Sequence, residues 1–260
     1  TIQSESDHFK RQVVQNSWRV YTFSPSMRLD YLKYVSPLVV KALGHPKFDR
    51  LYSKDTLPVD RTLIERGAGR KVVLLKIHWT KKGGGKVYTP DLSVYMEFVK
   101  LFGRYDDLFF AVMPHPNFFH NSNKFGFGAQ AEKFRLLVES MPNAMLCLQS
   151  DYRPVLVVSD YIITDRSSVM VEAGVLDVPV MYMTGKDWEP LNDAVQPIIM
   201  SYYLGKTCED MVRFLEMCRE GHDPKRTERQ AAVREYIPYF DGKCGERIAQ
   251  DMIDGVKNMG

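Results

Sequence analysis

The chain has 260 residues, of which 45% are hydrophobic and 26% charged, with a formal net charge of +3. This composition excludes a disordered, collagen-like or low-complexity chain, and the length allows one large domain or two small ones. Its apolar runs are far shorter than the roughly 20 residues that cross a bilayer. The start Thr1-Ile2-Gln3-Ser4-Glu5 lacks a signal-peptide pattern, and the mild, scattered basic excess does not call for nucleic acid.

Residues 19–23 read as a short strand, a helix starts near Ser26, and 39–43 form a second strand that ends in Gly44-His45-Pro46-Lys47-Phe48-Asp49. The polar stretch 53–69, with one short helix near 59–66, is the expected domain boundary. Residues 1–56 are then the end of one domain plus its linker, and 57–260 a second domain. From Lys71 strands and helices alternate: strands at 71–77, 108–113, 144–148, 161–164 and 179–183, helices at 92–102, 129–140, 153–158 and 167–176. The tail is helical over 208–219, 224–236 and 245–256. Strands apolar on both faces and separated by helices predict an α/β fold with a parallel sheet covered on both sides. Cys147, Cys208, Cys218 and Cys244 show no C-x-x-C spacing and read as thiols of a reducing cytoplasm.

An open parallel sheet binds ligands at the carboxyl ends of its strands, and four segments there carry chemistry. His78 follows the first strand and precedes a basic, Gly-rich loop with Lys81 and Lys82, which could be a lid over phosphate; no Gly-Lys-Ser/Thr opens a helix, so it is not a Walker loop. His115 is bracketed by Pro114 and Pro116, whose rings stiffen the backbone. It could donate to a phosphate, act as an acid, or merely occupy a turn. In Ser159-Asp160…Thr164-Asp165-Arg166-Ser167-Ser168, a strand runs into a turn and two serines open a helix. The amides and dipole of that helix start suit an anion. Ser167 and Ser168 add hydroxyls, Arg166 adds charge, and Glu172 could accept from ribose. The bland alternative is that Asp165 and Ser167 simply cap the helix. Asp241-Gly242 reads as a turn before the last helix.

In this order, Gly44 to Asp49, the strand ending at His78, His115-Pro116, Ser159-Asp160 through Ser168, and Asp241-Gly242 resemble the CDP-glycerol glycerophosphotransferase family, which builds teichoic-acid and related capsule polymers. The resemblance runs from about Arg19 to the C-terminus, and its Ser-Asp…Thr-Asp-x-Ser-Ser block, about fifty residues after His-Pro, is the specific part. It implies a GT-B architecture, with this chain like the Rossmann-like C-terminal half that grips the nucleotide. Two departures stand out. Arg166 replaces the Tyr or Ser common in the family, and the family's Trp-His-Gly-Thr type motif is absent. The chain starts about where that motif would have ended, so the expectation is a donor-binding half with the last elements of an acceptor half. The remainder would come from a missing domain or a partner chain.

The implied reaction moves glycerol phosphate, or another polyol phosphate, from a CDP carrier to a hydroxyl of a polymer or lipid-linked acceptor, with CMP leaving. Under this reading His115, His78 and Asp165 are the catalytic candidates, His78 having a suitable intrinsic pKa near 6.5. Thr164, Arg166, Ser167, Ser168, Glu172 and Asp241 would bind the donor, and Lys81 and Lys82 serve the acceptor side or lid. No cofactor or metal is implied. The family's place is the inner face of the bacterial membrane, so a cytoplasmic, peripheral protein is expected. Two alternatives stay open: a GT-B sugar-nucleotide glycosyltransferase or epimerase-like enzyme, and a non-catalytic nucleotide-binding module.

Overall fold

A computed structural model describes residues 12–78, 82–83, 86–188 and 191–257. The chain divides into two compact units: Thr1–Leu57 with Pro190–Ser201 and Thr227–Gly260, and Pro58–Glu189 with Tyr202–Arg226. The units interleave along the chain, whereas the sequence pattern suggested one cut after residue 56.

The first unit holds a parallel pair, β1 (Val20–Thr22) and β2 (Val40–Ala42). Ser24 starts the helix Pro25–Leu32, its hydroxyl accepting from the Met27 amide at 3.1 Å with proline in the first turn. The unexpected helix Pro46–Tyr52 explains the motif that precedes it. His45 Nδ1 accepts from the Lys47 amide at 3.2 Å, and Phe48 is buried. The Asp49 carboxylate accepts from the amides of Cys244 and Gly245, at 2.9 and 2.7 Å, where the helix Cys244–Lys257 begins. Gly44 has φ +90°, and a Cβ there would overlap Cys244 Sγ and lie 2.9 Å from Tyr239 Cβ. Gly44→Ala is therefore expected to destabilise the protein by about 2 kcal/mol, read as a lower urea midpoint; an unchanged midpoint would show that this contact yields easily.

The second unit is built on a six-stranded parallel sheet. Its strands are β3 (Lys71–Ile77), β6 (Leu108–Pro114), β7 (Ala144–Leu146), β8 (Tyr161–Thr164), β9 (Val180–Met183) and β10 (Tyr203–Gly205). A hairpin of β4 (Lys82–Gly83) and β5 (Lys86–Val87) follows β3. The spatial order is β10-β9-β8-β3-β6-β7, so the chain winds outward from β3 through β6 to β7, then returns to β8 and winds the other way. That is the doubly wound order, and its switch point lies between β3 and β8.

Side-chain alternation decides which face each strand residue serves. Val73, Leu75, Ile77, Leu108, Phe110 and Val112 join the main core with the helices Leu92–Val99, Gly128–Glu139 and Cys208–Arg219. On the opposite face Phe109 lies under the guanidinium groups of Arg66 and Arg70, at 5.8 and 5.2 Å. The helix Cys208–Arg219 carries a capping box between Thr207 and Asp210.

Several expectations need correction. The helix expected over 92–102 ends at Val99, and a 3-10 turn, Phe102–Arg104, continues it. The helix expected from Ser167 spans Val169–Ala173 and tightens into a 3-10 turn, Gly174–Leu176, ending at Asp177 in the left-handed region. The helices Phe118–Lys124 and Gln196–Met200 and the strand β10 were not anticipated. Their polar or very short sequences carry little periodic signal, and tertiary packing supplies what propensity does not. The four cysteines are buried and form no disulfide.

Candidate functional site

The carboxyl ends of β7, β6, β3 and β8 enclose an open cleft of about 380 Å3. It is lined by Ser150 and Tyr152 beyond β7, by His115 and Pro116 beyond β6, by Lys76 and His78 at the end of β3, and by 166–169 beyond β8. The cleft thus occupies the switch point of the sheet, where the loops diverge to either side and leave a crevice.

The parallel register brings the two histidines together. Ile77 pairs with Pro114, the His115 amide donates to the Ile77 carbonyl at 2.8 Å, and the imidazole centroids are 4.9 Å apart. The Asn117 amide donates to His115 Nδ1 at 3.1 Å, which leaves the proton of a neutral ring on Nε2. Burial, reinforced by the nearby Lys76 ammonium, pushes the His115 pKa down from 6.5. At neutral pH this ring is therefore a neutral hydrogen-bond donor through Nε2.

Asp165 lies behind the cleft wall, fully buried. Its carboxylate accepts from the His78 amide at 2.9 and 3.0 Å and from the Tyr95 hydroxyl at 3.0 Å. It thereby ties the end of β8 to the end of β3 and holds the backbone from which His78 projects. Burial pushes its pKa up to about 6, against the hydrogen bonds and Lys76, which favour the anion. Among the expected catalytic residues, His78 and His115 reach the cleft, while Asp165 acts on the backbone of one of them.

The turn after β8 departs from the expected cradle. The Ser167 amide donates to the Asp165 carbonyl at 2.7 Å, so that amide is engaged within the turn; its hydroxyl is 3.5 Å from that of Thr164. Thr164 is fully buried, and its hydroxyl donates to the Asp165 carbonyl at 3.3 Å, which stabilises the turn. Ser168, exposed at the first turn of the short helix, and Arg166 line the cleft. The Arg166 guanidinium is largely buried, 5.9 Å from the Tyr88 ring centre. Glu172 is buried and hydrogen-bonded with Tyr152, not part of the cleft lining. Asp241 belongs to the first unit and is engaged by Arg247 at 2.7 and 2.9 Å. Lys81 and the side chain of Lys82 lie outside the described residues.

Asp160, of the Ser159-Asp160 pair, proves to be a clamp at the opposite, amino end of β8 and β3. Asp160 accepts from the Val72 amide at 2.8 Å and pairs with Lys71 at 2.7 Å. Sequence reasoning missed Lys76, Ser150 and Tyr152 as cleft residues. A lysine within the apolar run 72–77 was the available signal, since a strand buried on both faces seldom carries a charge without a purpose. Among the described residues, no group of three or more His, Cys, Asp or Glu could hold a metal ion, and no helix is long and apolar enough to cross a membrane.

The model of one protein family, described as CDP-glycerol:poly(glycerophosphate) glycerophosphotransferase, matches residues 37–254. A variant of the wall teichoic acid polymerase TagF is similar in structure, with TM-score 0.63 and 15% identity over 93% of this chain and 59% of that one. The same polymerase soaked with CDPG gives TM-score 0.61 and 14% identity over 93% and 58%. A UDP-N-acetylglucosamine 2-epimerase gives TM-score 0.62 and 16% identity over 93% and 58%. These likenesses establish a shared α/β fold of the GT-B type, and the chain spans about three fifths of the length of each of these structures. No curated protein matches the sequence.

Proposed function

The chain belongs to the CDP-glycerol:poly(glycerophosphate) glycerophosphotransferase family, and we therefore propose that its cleft binds a CDP-linked polyol phosphate, glycerol phosphate above all, for transfer to a hydroxyl of a cell-surface polymer. The family match over residues 37–254 carries this reading. The chemistry of the cleft supports it: Arg166 and Lys76 supply positive charge, His115 and Ser168 supply neutral donors, and the volume suits a nucleotide.

In the proposed reaction the acceptor oxygen attacks the β-phosphorus in line with the bond to the α-phosphate oxygen. The new P–O bond forms as that bond breaks, CMP departs with its electron pair, and the acceptor hydroxyl gives up its proton to a base. The protein's part is to orient the diphosphate and to stabilise charge on the departing phosphate. Ser168, Arg166 and the Nε2–H of His115 take that role, and His78, beside His115, is the candidate on the acceptor side. The acceptor is a polyol-phosphate polymer or its lipid-linked start. A further domain or a partner chain completes the acceptor side, and the working location is the inner face of a bacterial plasma membrane.

Isothermal titration with CDP-glycerol tests the site. His115→Ala and Ser168→Ala should each weaken binding by about 1.5 kcal/mol, roughly tenfold, through loss of hydrogen bonds to charged oxygens. Unchanged affinity in both variants would remove them from the donor site. The structural likeness to a UDP-N-acetylglucosamine 2-epimerase supplies the competing reading. Preference for a UDP-linked over a CDP-linked donor in the same titration would favour it.

A further inference from the structure

We infer that Lys76 is a donor-binding residue, its ammonium forming the floor of the cleft where the diphosphate of a nucleotide-linked donor lies. The inference rests on the reading that the cleft takes such a donor. Lys76 is the penultimate residue of β3, on the face opposite the apolar helices, with Met113 of β6 and Thr164 of β8 as its neighbours in register. It is 4% exposed, and its Nζ donates to the Pro114 carbonyl at 3.2 Å. It nevertheless lines the cleft together with Arg166, His78, His115 and Ser168.

A buried ammonium is costly unless other groups compensate it. Among the described residues, the titratable groups whose charge couples to that of Lys76 are Asp165 beyond β8, Cys147 beyond β7 and His115 beyond β6. Of these, Asp165 alone offers a countercharge, and its oxygens are turned to the His78 amide and the Tyr95 hydroxyl. Burial dominates: it pushes the Lys76 pKa down to about 8 in spite of Asp165. An anion entering the cleft supplies the countercharge that the fold provides only in part, so binding and protonation of Lys76 favour each other. Raising the pH through 8 removes the charge and weakens the anion's hold.

The experiment is calorimetric titration of the full chain with CDP from pH 7.5 to 9.5, above the terminal phosphate's own titration near 6, and with UDP and inorganic pyrophosphate at pH 7.5 alone, because the uracil ring and the last pyrophosphate proton titrate at higher pH. Wild type should lose roughly tenfold in affinity across this range. Lys76→Met should bind about tenfold more weakly at pH 7.5 and show no such decline. Lys76→Arg, whose charge does not titrate, should keep its affinity at pH 9.5. If Lys76→Met binds CDP as tightly as wild type, the lysine only braces β3 against β6, and the inference falls while the CDP reading stands. If wild type ignores CDP but binds UDP or pyrophosphate with the same dependence on Lys76, the inference stands and the CDP reading falls. Absence of binding to all of them overturns both. The wild-type pH profile needs no variant, so a flat profile overturns the inference even if Lys76→Met fails to fold.

Discussion

Phe110→Ala is expected to destabilise the protein by about 4 kcal/mol, the range for removing a fully buried aromatic ring from a core. Phe110 is at the centre of β6 with no exposed surface. Its ring stacks on Phe102 with centroids 3.6 Å apart, and Phe98 and Tyr105 meet it edge-on at 6.1 and 5.9 Å. These partners come from the helix Leu92–Val99, from the 3-10 turn that follows it and from Tyr105, which ends that turn, so the cluster fastens that segment to the sheet. The packed surroundings can collapse only partly into the void, which adds a cavity cost to the lost burial. The check is the urea midpoint followed by circular dichroism. Phe110→Leu, which leaves a smaller void, should cost less than half as much. Equal losses would mean that the ring stack, and not the filled volume, sets the stability.

Asp165→Ala should cost about 3 kcal/mol, because it strands the Tyr95 hydroxyl and the His78 amide and leaves the Lys76 ammonium without its neighbouring carboxylate. Asp165→Asn keeps an acceptor oxygen and should cost about 1 kcal/mol. Combining Asp165→Ala with Tyr95→Phe should give less than the sum of the single losses, since both remove one interaction. A loss below about 1 kcal/mol for Asp165→Ala would show that the tie between β8 and β3 is dispensable. The pH dependence has a definite sign. Burial raises this carboxyl from 3.8 to about 6 in the folded chain, so protonation favours folding. That contribution is complete below about pH 4 and is lost as the pH rises through 6. Wild type should therefore lose stability relative to Asp165→Asn across this window. A constant gap between the two would place the titration of Asp165 elsewhere.

Asp165 also shows how the residues of one motif can hold different places in the structure. The block from Ser159 to Ser168 marks the family, yet its members divide the work. Asp160 clamps the amino ends of β8 and β3, Thr164 and Asp165 stabilise the turn from inside, and Arg166, Ser167 and Ser168 line the cleft. Within the other unit, Gly44, His45, Phe48 and Asp49 are a motif of packing and capping.

Local pattern was enough to establish an alternating α/β chain, to find the strands Lys71–Ile77 and Tyr161–Thr164 and the helix Cys208–Arg219, and to point to His78, His115 and Ser168. Hydrophobic period and chain-breaking residues are properties of neighbours in sequence, and a strand end is itself a local event. The order in which the strands lie side by side is not. It placed Lys76, Ser150 and Tyr152 on the same cleft as the two histidines, put Glu172 and Asp165 beneath its surface, and assigned Asp241 to the other unit. Which polar groups face solvent and which are sealed under a turn depends on contacts between residues tens of positions apart, and those contacts exist only once the sheet has formed.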